Sequence, residues 1–192
     1  PGRNWFGCGG GGGERDGRGG GRGGDGICVI QYTLPGPAAG GFIDSRSPMS
    51  KEIVATGGII HEVANPDGVS VDRVHAWSSY THPTAATTVP QVKQDFTVSS
   101  GSGTIELLLV GGGGGGGWKG GGGGGGEVLH HPGGIPVSGP NTYVVTAGVG
   151  GHGALPPTRE NGVAAAGEPG AKSTFGPPTA TATWSAGGGG GG

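Results

Sequence analysis

Charge is scarce in this chain of 192 residues: Asp, Glu, Lys and Arg make up 12%, and the net charge is −2. That excludes the surplus of like charge by which disordered chains resist collapse. It also excludes a basic field that would gather nucleic acid or anionic lipid. Two cysteines, Cys8 and Cys28, are too few for a disulfide scaffold, and their spacing leaves pairing open. Aromatic residues are 6% and all hydrophobic residues 31%, so a core of side chains is thin. No apolar run approaches the roughly 20 residues of a membrane span, which argues against membrane insertion. No secretory leader is recognisable. The start at Pro1 and the stop inside Gly187–Gly192 give the expectation of a piece cut from a longer chain. A sustained 3.6-residue apolar stripe is missing too, so helix is expected nowhere beyond a turn; "NGVAAAGE" (161–168) is the sole candidate.

What is present is glycine, 53 residues, with 15 prolines. It gathers in four blocks: "GCGGGGGERDGRGGGRGGDG" (7–26), the two runs around Trp118-Lys119 (111–126), "GVGGHG" (148–153) and 187–192. Ordering a residue costs roughly 1–2 kcal/mol of backbone entropy, and glycine loses most. A single glycine run therefore has no reason to order. A polyproline-II or polyglycine-II strand has about three residues per turn and no internal hydrogen bonds, so its amides and carbonyls point outward in three directions. Only several such strands side by side can satisfy them. Flexible linkers mix serine with glycine; these blocks hold almost none, and Gly111–Gly117 is entered directly from an apolar strand. Order in a bundle is the expectation.

Between the blocks lie short β-branched and apolar segments bounded by Gly, Pro, Asn or Ser: 27–34, 57–63, 68–77, 94–99, 103–110 and 141–147. The predicted fold class is all-β, with short antiparallel, sandwich-like strands joined to a polyglycine-II-type bundle and little or no helix. The expected organisation is the end of a preceding glycine-rich unit at 1–34, a linker at 35–56, a β connector at 57–93 and a glycine-rich domain at 94–192, truncated at its C-terminal end. "WFGCGGGGG" (5–13) parallels "WSAGGGGGG" (184–192), which suggests a tandem array cut out of register.

"DFTVSSGSGTIELLLVGGGGGGG" (95–117) resembles the opening of the glycine-rich domain of bacteriophage and other virion fibre proteins, in which a polar turn joins two strands ahead of a glycine run. "NTYVVTAGVGG", "GAKSTFGPPTATATWSAGGGGGG" and "GGDGICVIQY" resemble its later strands, in permuted order over 94–192 and 7–33. Residues 111–126 are also similar to polyglycine-rich phage adhesins with variable loops; here those loops would be 127–141 and 152–161. The resemblance implies a virion location, partners among other virion proteins and a host-surface glycan or protein as contact.

Catalytic and cofactor chemistry finds little footing. Asp67, Asp72 and Asp95 lack the paired spacing of a hydrolase. "GGGGGGGWKG" lacks the Ser or Thr and the helix of a phosphate loop. Arg15, Arg18 and Arg22 alternate with Glu14, Asp16 and Asp25, which reads as self-compensating charge more than as an RNA-binding box. Adjacent His130 and His131 have no third ligand at metal spacing. The expectation is no enzyme, no cofactor, no metal and no nucleic acid. Trp118 and Lys119 read either as an exposed tip suited to stacking on sugar or as a cap over the bundle edge. With His130, His131, Arg159 and Glu160 they form the candidate contact set. A thin core also leads us to expect a homo-oligomer, a trimer being one arrangement. The function expected is a structural or adhesive segment of a phage tail or head fibre. The alternatives are an extracellular filament or matrix protein, at the cell surface, and a glycan- or ice-binding glycine bundle.

Overall fold

The computed structural model describes residues 6–13, 19–35, 52–79, 93–155, 166–177 and 184–192. These contain ten β-strands and no helix: β1 (Ile27–Pro35), β2 (Val54–Thr56), β3 (Ile59–Ala64), β4 (Ser70–Ser78), β5 (Lys93–Ser100), β6 (Ser102–Val110), β7 (Val128–Ser138), β8 (Asn141–Thr146), β9 (Ser173–Gly176) and β10 (Trp184–Ala186). They form two five-stranded sheets, ordered β3-β4-β1-β6-β7 and β10-β9-β8-β5-β2, with every neighbouring pair antiparallel. The all-β class and the antiparallel pairing are as the sequence predicts.

Alternation along the strands builds one core between the sheets. Cys28, Ile30, Tyr32 and Leu34 of β1 and Ile105, Leu107 and Leu109 of β6 meet Phe96, Val98, Val145 and Phe175 of the second sheet. Phe96 lies at the centre of the aromatic contacts, with its ring edge-on to His75 at 5.2 Å and to Trp77 at 6.0 Å. His75 is fully buried, and its Nδ1–H donates to the Gly57 carbonyl at 2.8 Å. Its Nε2 is then left to accept from the Tyr32 hydroxyl at 3.1 Å. Desolvation holds the His75 pKa below its ordinary value, and the nearby Arg73 charge adds to this.

Two segments differ from expectation. Residues 57–63, read as one strand, belong to a chain that changes sheets: β2 lies in the second and β3 in the first. The crossing uses Gly57 (φ 118°) and Gly58 (φ 64°), a conformation that disfavours any side chain. Residues 127–141, read as a loop, are largely β7. Pro132, Pro136 and the glycines between them disguise it, and an edge strand tolerates proline because its outer N–H has no partner to lose.

The glycine blocks leave one end of the sandwich as seven extended strands: g1 (7–13), g2 (19–26), g3 (111–117), g4 (120–127), g5 (148–154), g6 (167–171) and g7 (187–192). Each is continuous with a neighbouring β-strand or with a partner in an out-and-back pair; β6 runs into g3, and g4 returns into β7. Buried Ser173 fastens the junction, accepting from Gly148 N–H at 2.8 Å and donating to the Val110 carbonyl at 2.6 Å. Cys8 in g1 and Cys28 in β1 are both free thiols, and burial pushes the Cys28 pKa up.

Candidate functional site

The bundle is organised about g3. All seven of its amides donate, at 2.8–3.0 Å, in a repeat of three: Gly111, Gly114 and Gly117 to g4, Gly112 and Gly115 to g6, Gly113 and Gly116 to g2. Its carbonyls accept from Gly10 and Gly13 of g1, Gly151 and Ala154 of g5, and Gly189 and Gly192 of g7. The repeat is that of a threefold extended helix, whose amides turn through a third of a circle per residue. Bonds between successive outer strands close the ring in the order g1, g2, g5, g6, g7, g4, with g3 at its centre. Outer strands alternate in direction. Those parallel to g3 donate to it, and those antiparallel accept from it.

Side chains are incompatible with the centre. A Cβ on any of Gly111 to Gly116 would lie 1.9–2.2 Å from a neighbouring backbone oxygen. The outer strands differ by face. On one side g2, g5 and g6 carry Arg22, Asp25, Val149, His152, Pro169 and their neighbours, with Arg22 bonded to Asp25 at 2.5 Å and Asp25 accepting from Gly150 N–H at 2.9 Å. On the other side g1, g4 and g7 present Gly11, Gly121 and Gly190, where an added Cβ would meet nothing within 4 Å. Glu127 anchors the base of that side, accepting from Gly187 N–H at 2.6 Å.

Trp118 and Lys119 make the turn between g3 and g4 at the far end. Lys119 takes φ 51°, the one positive φ on a non-glycine among the described residues. Its Nζ sits 4.1 Å from the Trp118 ring centroid, so one aromatic face is closed by the chain's own cation. The Trp118 indole N–H is buried and has no partner among the described residues. Trp118 is half-buried and Lys119 exposed at this turn.

The structure does not gather the predicted contact residues into one site. His130 and His131 lie in β7 below the base of the bundle, opposite Leu108 and Leu107 and so about 30 Å from the tip at the rise of an extended strand. Being consecutive in a strand, they face opposite ways. His130 Nε2 is 2.6 Å from Glu106 Oε1 on the exposed side, and the His131 ring stands edge-on to Trp184 at 6.5 Å. Arg159 and Glu160 lie outside the described residues, as does most of the 161–168 helix candidate. Among the described residues no three His, Cys, Asp or Glu side chains converge as metal ligands would.

Two features had no signal in the sequence. An open cleft of about 360 Å³ lies at the sandwich end remote from the bundle, lined by Gln31, Thr33, Glu52, Ser102, Thr104 and Glu106 among others. Its walls come from separate chain segments, which no spacing rule connects. Beside it, hydrogen bonds from Asn65, Thr33 and Gln31 hold the Asp72 carboxyl below its ordinary pKa, so it fastens the β3–β4 turn to β1 as an anion.

Residues 87–192 match the family model of a glycine-rich domain. No curated protein and no solved structure matches the chain. The matched region contributes g3 to g7 and β5 to β10, while g1, g2 and β1 to β4 lie ahead of it.

Proposed function

This chain belongs to the glycine-rich domain family, and on that premise we propose that it is a non-enzymatic, rigid segment of a virion appendage, a phage tail or head fibre. It holds the bundle tip outward for contact with a host surface, and it works alongside further copies of itself and other virion proteins. The observation that carries this reading is the closed ring of six glycine strands around g3. Such a body is held by backbone hydrogen bonds and not by a large apolar core. It keeps its shape while the residues between strands vary. Trp118 and Lys119 are its candidate contact pair, an aromatic edge and a cation at the outermost turn.

Antibodies against the purified chain test the location: gold label on the fibres of virions supports the proposal, and label on cellular filaments favours an extracellular matrix protein. Binding of the labelled chain to intact cells tests the contact. Replacing both Trp118 and Lys119 by alanine should reduce it by at least about tenfold if the pair is a hot spot, and unchanged binding removes the tip from the contact. The bare glycine face of g1, g4 and g7 favours one further reading, a flat glycan- or ice-binding module. A strong glycan-array or thermal-hysteresis signal, lost on placing bulky residues at Gly121 and Gly190, would support it.

A further inference from the structure

Four strands end the two sheets: β3 and β7 in the first, β10 and β2 in the second. Three are protected against pairing with another chain. β7 carries Pro132 and Pro136 and a register slip opposite Ile105–Leu107, and β2 and β10 are only three residues long. β3 has none of these devices. Its six residues include no proline or lysine, its register against β4 is unbroken, and all six are exposed, with Ile59 at 65% and Val63 at 54%. Asn65 N–H donates to the Ser70 carbonyl. Alternation from that pair gives bonds to β4 at Val63, His61 and Ile59, and turns the N–H and C=O of Ile60, Glu62 and Ala64 outward. Among the described residues nothing pairs with these outward groups.

We propose that β3 pairs antiparallel with β3 of a second copy about a twofold axis through His61, joining two five-stranded sheets into one. This names a surface for the self-association in the proposed function and rests on that reading. The strand is complementary to itself. A twofold axis normal to the sheet keeps each side chain on its own face, so paired positions differ by an even number of residues. Centring on His61 sets Ile60 opposite Glu62 of the second copy, where outward amides and carbonyls meet. It also sets Ile59 opposite Val63, the two most exposed apolar side chains of the strand. Centring one residue later would oppose two Glu62 carboxylates on the same face, which is unfavourable. In the favoured register each Glu62 keeps its 2.6 Å ion pair with Arg73 of its own sheet.

Sedimentation velocity of the full chain over a range of concentrations, with Val63→Lys beside it, tests the pairing. The expected result is a reversible dimer that Val63→Lys weakens by at least about tenfold, because a lysine at an edge disfavours strand addition; at concentrations where both chains are monomeric the melting temperature should stay the same. The register has its own test. His61→Cys, in a Cys8→Ser background, should form a disulfide-linked dimer on mild oxidation with oxidised glutathione, since opposed residues outside the hydrogen-bonded pairs approach to about 4.5 Å between Cα atoms. Ile60→Cys, opposite Glu62, should not. A dimer indifferent to Val63→Lys and without the His61→Cys cross-link overturns the strand pairing and leaves self-association to another surface. A chain monomeric at all concentrations overturns both.

Discussion

Gly114 and Gly121 are the same residue in neighbouring runs, yet their surroundings differ completely. A methyl on Gly114 would sit 1.9 Å from the Gly190 carbonyl oxygen, whereas one on Gly121 meets no atom within 4 Å. Gly114→Ala should therefore part the ring, costing on the order of 3 kcal/mol or more, the scale of overpacking in a rigid interior. Gly121→Ala should be neutral or stabilising by up to about 1 kcal/mol, through lost freedom of the unfolded chain. Denaturant melts of the two variants would show it, and equal losses would contradict the ring. At His75 the expectation concerns pH. Burial keeps the ring neutral in the fold, and an unfolded histidine takes up its proton near about pH 6.5. Below that value the unfolded state binds the extra proton, so stability is full above it and declines as pH falls toward the lowered folded value. Melting temperatures measured from pH 7.5 to 5 should fall on acidification, with a shallower slope in His75→Gln.

At the scale of elements, what matters in a glycine strand is its phase. Each residue of g3 faces a different neighbour from the one before, and the same neighbour returns every third residue. One extra glycine inserted midway in both g3 and g4 turns the outer half of each by a third of a circle and aims every amide there at the wrong strand. Three extra glycines in each restore the phase and lengthen the tip by about 9 Å. Hydrogen exchange should therefore show lost protection in the outer half of the bundle with the first pair of insertions and retained protection with the second. The β-strands were legible to different degrees for a related reason. β1, β4, β5, β6 and β8 show apolar, β-branched composition because at least one face is buried. β7, at an edge, is free to carry prolines and glycines, and so reads as a loop.

For the whole molecule the order of elements along the chain is the decisive fact. Glycine strands, in the pairs g1–g2, g3–g4 and g5–g6 with g7 last, are interspersed with the runs β1–β6, β7–β8 and β9–β10, so neither layer can come apart without freeing the ends of the other. A single calorimetric transition is expected. The first 26 residues precede the matched family region, yet g1 and g2 supply two of the six outer positions. Without them Gly113 and Gly116 lose their acceptors at Gly24 and Gly21, and the buried core strand opens to solvent on one side. A chain starting at Ile27 should melt well below the full chain, or lose the cooperative transition altogether. A melt unchanged by that truncation would show that five glycine strands suffice.

The sequence by itself determined the class. Scarce charge, the missing helical stripe and alternating β-branched segments dictate an all-β fold, and glycine runs almost free of serine dictate ordered extended strands, because each of these follows from local composition. The candidate contact residues were legible only as residue types; where they stand was not. Tertiary structure alone decided which run is central, which glycines are sterically required, that g1 and g2 fill the ring beside g4 to g7, and that Trp118-Lys119 stands more than a bundle's length from His130 and His131. Those are matters of which backbone lies beside which, and a run of glycines, having no side chains, carries no mark of its neighbours.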